Sequence, residues 1–189
     1  MPQSVIFLTD MALGYLVWGL LIATYVWPRL KVMDSVDGHR AIATFNSFRF
    51  FGLVFLLPGF VGPNLPVAWA KAAASGDLAT ALLAILALLT VRRRFLFWSL
   101  VWAFNLVGIA DLIVDTVLAS RMGLPSMAGQ LGAGYAIPIL YVPALFWMHV
   151  LALWLLVRPA RAPGGPEHVD DWMTDDIRVP EITTVIPEL

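Results

Sequence analysis

Cysteine is missing from all 189 residues. With it go disulfides, thiolate nucleophiles, iron–sulfur clusters and thiolate zinc sites. Charge is scarce too: Asp, Glu, Lys and Arg make up 13% of the chain, against roughly 25% in soluble domains. No Lys or Arg precedes Arg29. A secretory signal needs a positive region ahead of its apolar core, so the first hydrophobic run reads as part of the mature protein. The histidines are His39, His149 and His168. A bis-histidine haem needs two ligands at matched depth, and His39 and His168 fall in a loop and a tail, leaving His149 alone. The sequence has no glycine-rich phosphate loop, zinc-type histidine pair or nucleophile elbow. These gaps leave no catalytic residue, no metal ligand set and no cofactor to nominate, and nothing beyond the Arg92–Arg93–Arg94 triplet hints at nucleic acid.

What is abundant is apolar surface. Hydrophobic residues make up 60% of the chain and the mean hydropathy is +0.81, the composition of a membrane protein. At roughly 20 residues per crossing, five apolar runs fit: about 5–27, 41–62, 75–91, 95–119 and 131–157. Pro58 and the Pro63 to Pro66 stretch close the second run, because proline removes a backbone donor and clashes with the preceding turn. Val67 to Ala74 reads as a loop or a short interfacial helix, and Ser75-Gly76-Asp77 as the start of the third run. Arg29, Lys31 and Arg40, the arginine triplet, and Arg158 with Arg161 all fall on one side of this five-crossing scheme, with Lys71 and Arg121 opposite. The expectation is an all-α polytopic bundle over 1–161 with its N-terminus outside and its C-terminus cytoplasmic. Residues 162–189 form a tail that is acidic and low in hydrophobicity, and so is expected to be flexible.

The fourth run concentrates the chemistry. Within an apolar stretch, Asn105, Gly108, Asp111 and Asp115 fall on one broad side of a helix at about 100° per residue, with Trp102 at the edge. A carboxylate near the bilayer centre costs about 2.5 to 3.5 kcal/mol on insertion scales, so this side must meet other helices and find a partner, a proton or water. Depths counted along the helices suggest two groups. Arg49, His149, Asn105 and Trp102 would share the inner leaflet, where a guanidinium fork suits an anionic group such as a lipid phosphate. Asp111 and Asp115 would lie in the outer half with Asp10, and with Asp77 if it is not merely a helix cap; such a cluster can carry a proton or a cation. Against both readings stand structural ones. Arg49 can snorkel to the surface, and each carboxylate can make one interhelical hydrogen bond.

The segments Phe48-Arg49-Phe-Phe-Gly-Leu, Leu57-Pro58-Gly59, Gly76-Asp77-Leu, Trp102-Ala-Phe104-Asn105 with Gly108-Ile-Ala-Asp111-Leu, and Tyr135-Ala-Ile-Pro138 with Val142-Pro143 and His149 resemble a group of small bacterial integral membrane proteins of unassigned function. The resemblance covers roughly residues 45–157. It implies a multi-pass protein of the bacterial inner membrane and supplies no activity.

Three functions remain open from sequence. The first is a non-enzymatic accessory or assembly subunit that binds lipid or a membrane protein through its helix faces or acidic tail. The second is a small proton- or cation-linked carrier using Asp111 and Asp115, with Arg49 and His149 at an inner gate. The third is a membrane enzyme acting on a lipid or isoprenoid, with His149 as acid or base.

Overall fold

A computed structural model describes Met1 to Arg158, and every regular element among these residues is helical. Helix α1 runs Gln3–Val32. Helix α2 (Ser35–Ser47) continues directly into a 3₁₀ helix, Phe48–Leu56. Helices α3 (Val67–Leu89) and α4 (Arg94–Arg121) follow. A 3₁₀-rich stretch, Leu124–Tyr135, leads into α5, Ile137–Val157. The long helices α1, α3, α4 and α5 are each apolar and long enough to cross a bilayer. Residues 162–189, expected to form a flexible acidic tail, lie outside the described residues.

Four boundaries differ from the sequence expectation for physical reasons. Helix α2 starts at Ser35 rather than 41, because the Asp34 carboxylate caps it by accepting from Val36 N, so His39 lies on a helix and not in a loop. Helix α3 begins at Val67 and passes unbroken through Ser75, Gly76 and Asp77. A glycine inside a helix costs about 1 kcal/mol against alanine. Here the space it leaves is filled by the Asp111 carboxylate, which a Cβ on Gly76 would overlap. The last helix begins at Ile137 rather than 131, because Gly132 takes φ +55° and breaks the preceding turn. The second apolar run is helical only to Leu56, after which Leu57 turns extended ahead of Pro58, as the residue before a proline prefers.

Prolines also explain the π turns. Ile22–Val26 and Ile137–Tyr141 each widen by one residue within two positions of an X-Pro step, Trp27-Pro28 and Val142-Pro143. Proline cannot donate, and a π turn absorbs the misfit without ending the helix.

The α3 interface is lined with small residues. Ala70, Ala73, Ala74, Ala81, Ala84 and Ala87 are buried at helical spacing, interrupted by Asp77 and Thr80. Small side chains let backbones approach closely where lipid offers no hydrophobic drive. At the end of the bundle that holds the Arg92–Arg94 turn, the sequence pattern places Arg158 as well. Its guanidinium donates to the Leu30 carbonyl at 3.1 Å and the Met33 carbonyl at 2.8 Å, tying α5 to the C-terminus of α1. A cation there also meets the negative end of the helix dipole.

Candidate functional site

The 3₁₀ helix is what brings the site together. Its period of three residues stacks i and i+3, so Arg49, Gly52 and Phe55 share the buried face while Phe48, Phe50, Phe51, Leu53 and Leu56 remain exposed. That buried face meets α3. Arg49 Nε donates to Asp77 Oδ1 at 2.7 Å, and a Cβ on Gly52 would overlap the Asp77 carboxylate. Phe55 packs edge-on against Trp69 at 5.0 Å.

Arg49 is wholly buried, so it does not snorkel. Besides Asp77, its Nη2 donates to Asp111 Oδ2, and Nη1 donates to the Gly108 carbonyl at 3.3 Å. Nη1 also lies 3.3 Å from His149 Nε2. Removing charges from water costs several kcal/mol per ion, and only close pairing with every donor engaged offsets it. Two carboxylates on two different helices therefore clamp one guanidinium, and α3, α4 and the 3₁₀ helix are held to a common point.

The hydrogen-bond directions set the histidine tautomer. A guanidinium can only donate, so His149 Nε2 accepts and Nδ1 carries the hydrogen, which it donates to Asn105 Oδ1 at 2.9 Å. Asn105 then uses its Nδ2 to donate to the Val101 carbonyl at 2.8 Å. The histidine is thus neutral and engaged at both nitrogens. Gly108 makes this contact possible: a Cβ there would lie 2.6 Å from His149 Cε1 and Nε2 and 2.8 Å from Arg49 Nη1.

Members of the inner and outer groups expected from helix depth therefore meet in one network, while Asp10, Asp115 and Trp102 stay outside its hydrogen bonds. Arg49, Asn105, His149 and Asp111 meet, and Asp77 completes them from inside α3 rather than capping its start. The sequence did carry a signal for Asp77: it stands at helical spacing in the alanine stripe, a position that must face a neighbour. Asp115 lies one turn beyond Asp111. Its backbone carbonyl accepts from Trp69 Nε1 at 3.2 Å, while its side-chain Oδ1 is buried with no hydrogen-bond partner. Asp10 is placed elsewhere, accepting from the Tyr135 hydroxyl at 2.8 Å. Trp102 is 45% exposed and takes no part in the network. Among the described residues no group of three or more His, Cys, Asp and Glu side chains is arranged to hold a metal ion.

A family model described as Domain of unknown function (DUF8737) matches residues 6–157, and the chain belongs to that family. Neither curated proteins nor solved structures give a match.

Proposed function

We propose that this protein is a small proton- or cation-linked carrier of the bacterial inner membrane, with five crossings, its N-terminus outside and its C-terminus cytoplasmic. The second crossing would be the 41–62 segment, shorter and partly 3₁₀; the one-sided distribution of Arg29, Lys31, Arg40, the arginine triplet and Arg158 supports that count and direction. One observation carries the functional reading. Asp77 and Asp111 are both held by Arg49, whereas Asp115, one turn away, has a buried carboxylate oxygen with no donor. An uncompensated carboxylate at such a place calls for a proton or a cation. In this reading Arg49, Asp77, Asp111, His149 and Asn105 form the fixed charge centre and Asp115 is the exchanging group.

The test is flux in proteoliposomes carrying a pH-sensitive dye, with sodium or potassium gradients imposed. Asp115→Asn should abolish the linked flux while the protein elutes as the same monodisperse particle in detergent. Unchanged flux in that variant would refute the reading.

The accessory-subunit reading draws on a different feature, the seven acids after Pro166 set against Arg178 alone. It expects a co-purifying protein that is lost when residues 166–189 are removed. The enzyme reading is disfavoured by His149, whose two nitrogens are already committed to Arg49 and Asn105.

A further inference from the structure

Beside the charge centre lies a cavity of about 150 Å³ whose lining combines two kinds of group. The rings of Phe7 from α1, Phe55 from the 3₁₀ helix and Trp69 from α3 form its walls, and Asp77 and Asp115 are its charged residues. All three rings are at most 5% exposed. No Lys, Arg or His lines it; Arg49 stands behind Asp77, bonded to Oδ1. The Trp69 indole is fixed in place by its bond to the Asp115 carbonyl and by the edge contact with Phe55. The single guanidinium of Arg49 is shared by Asp77 and Asp111, which leaves the Asp115 carboxylate beside the cavity with a buried oxygen that has no donor.

The lining discriminates among cations. A hard inorganic ion needs several oxygen ligands to replace its water, and apart from the two carboxylates the polar side chains here are Thr116 and Ser120. The Thr116 and Ser120 hydroxyls donate to the Leu112 and Thr116 carbonyls, which leaves each oxygen as one neutral ligand in a lining otherwise dominated by apolar and aromatic side chains. An alkylated ammonium has the opposite demand: it is weakly hydrated, and it is attracted to aromatic faces and a nearby carboxylate. Its apolar portion has somewhere to go. A second cavity, of about 420 Å³, lies between α4 and α5 and shares Leu112, Thr116 and Val142 with the first.

We infer that this pair of cavities binds a hydrophobic organic ammonium, with its cationic head between Phe7, Phe55, Trp69 and Asp115 and its apolar body in the α4–α5 cavity. The inference rests on the carrier reading and names the substrate class of that same site. Asp77, bonded to Arg49 on one side and lining the cavity on the other, links the head group to the fixed charge centre.

Calorimetry on the purified full chain in a neutral detergent, with benzyltrimethylammonium as the probe, tests it directly. Saturable binding is expected, with neopentylbenzene, the uncharged isostere, failing to compete and sodium at matched ionic strength failing likewise. Asp115→Asn and Trp69→Leu should each weaken binding at least tenfold, Asp115→Glu should restore part of it, and Trp102→Leu, at an exposed position outside the cavity, should leave it unchanged. Equal competition by the isostere would show apolar filling alone and overturn the inference, and this comparison needs no variant to fold. No binding of the probe, together with Asp115-dependent proton or sodium flux, would overturn the organic-cation assignment and leave the carrier reading standing. Absence of both binding and flux would remove the two together.

Discussion

Replacing Arg49 with methionine tests the charge centre most severely. Methionine keeps much of the volume and the apolar stem but leaves Asp77 and Asp111 facing each other without a cation. Removing one partner of a buried pair costs about 3–5 kcal/mol, because the other charge stays behind. Here one guanidinium serves two carboxylates and donates to the Gly108 carbonyl as well, which puts the loss at the upper end, about 5 kcal/mol. For a chain of this size each kcal/mol moves the unfolding midpoint by about 2–4 °C, so Arg49→Met should lower it by about 10–20 °C. The decisive comparison is the triple variant Arg49→Met, Asp77→Asn, Asp111→Asn. Neutralising all three members removes the buried charges together, and such exchanges are often close to neutral. The triple should therefore recover most of the loss. Thermal unfolding in detergent, followed by near-ultraviolet circular dichroism, measures both. A midpoint within about 3 °C of wild type for Arg49→Met, less than one to two kcal/mol by the same conversion, would refute the paired-burial argument. So would a triple variant no more stable than the single one.

Three further outcomes follow from the same geometry. Gly108→Ala places a methyl 2.6 Å from the His149 ring; overpacking of this kind costs about 1–3 kcal/mol, and an unfolding midpoint equal to wild type would show that α4 and α5 have room to spare. Asn105→Leu removes the acceptor of His149 Nδ1, a loss of about 1–3 kcal/mol; nitrogen NMR of labelled histidine should show the Nδ1–H tautomer at His149 in wild type and its loss or mixing in the variant. His39 precedes the 41–62 apolar run and is wholly buried on α2, with Nδ1 donating to the Ser35 carbonyl at 2.7 Å. Burial above all, with the Arg158 charge adding to it, holds this imidazole below its usual value of 6.5 despite backbone hydrogen bonds to Ser35 and Ala152. The unfolded chain then takes up this proton first, so stability contributed by neutral His39 is intact above about pH 6.5 and falls as the pH drops below it. His39→Gln should flatten that part of a midpoint-against-pH curve; an unchanged slope would assign it to other groups.

Helix α4 shows what could be read from sequence. Its polar side was visible because Asn105, Gly108, Asp111 and Asp115 recur at helical spacing within an apolar run, and lipid excludes such a face. The meeting of its two halves was not visible, because depth was counted as a backbone rise. Six residues from Asn105 to Asp111 span about 9 Å, a distance that Arg49 bridges with an extended side chain, touching Gly108 and Asp111 directly and Asn105 through His149. Counting Cα positions hides that reach. Asp77 was obscured for another reason: Ser-Gly-Asp is good helix-start chemistry, and only the tertiary filling of the Gly76 gap by Asp111 lets α3 continue through it.

The 3₁₀ segment links the charge centre to the cavity. In an α-helix, positions 49, 52 and 55 would drift around the axis by about 60° per step, whereas a three-residue period keeps them in line. The line presents a cation, then no side chain, then a ring, and α3 answers with Asp77 at one end and Trp69 at the other. Arg49 therefore reaches the carboxylates from the same face on which Phe55 walls the cavity. Asp77 belongs to both, so a cation bound beside Asp115, as proposed, would compete with Arg49 for the same carboxylate. On that proposal, occupancy of the cavity would weaken the Arg49 clamp through the shared carboxylate, the physical requirement for a binding event in one place to bear on the contacts that hold α3, α4 and the 3₁₀ helix together.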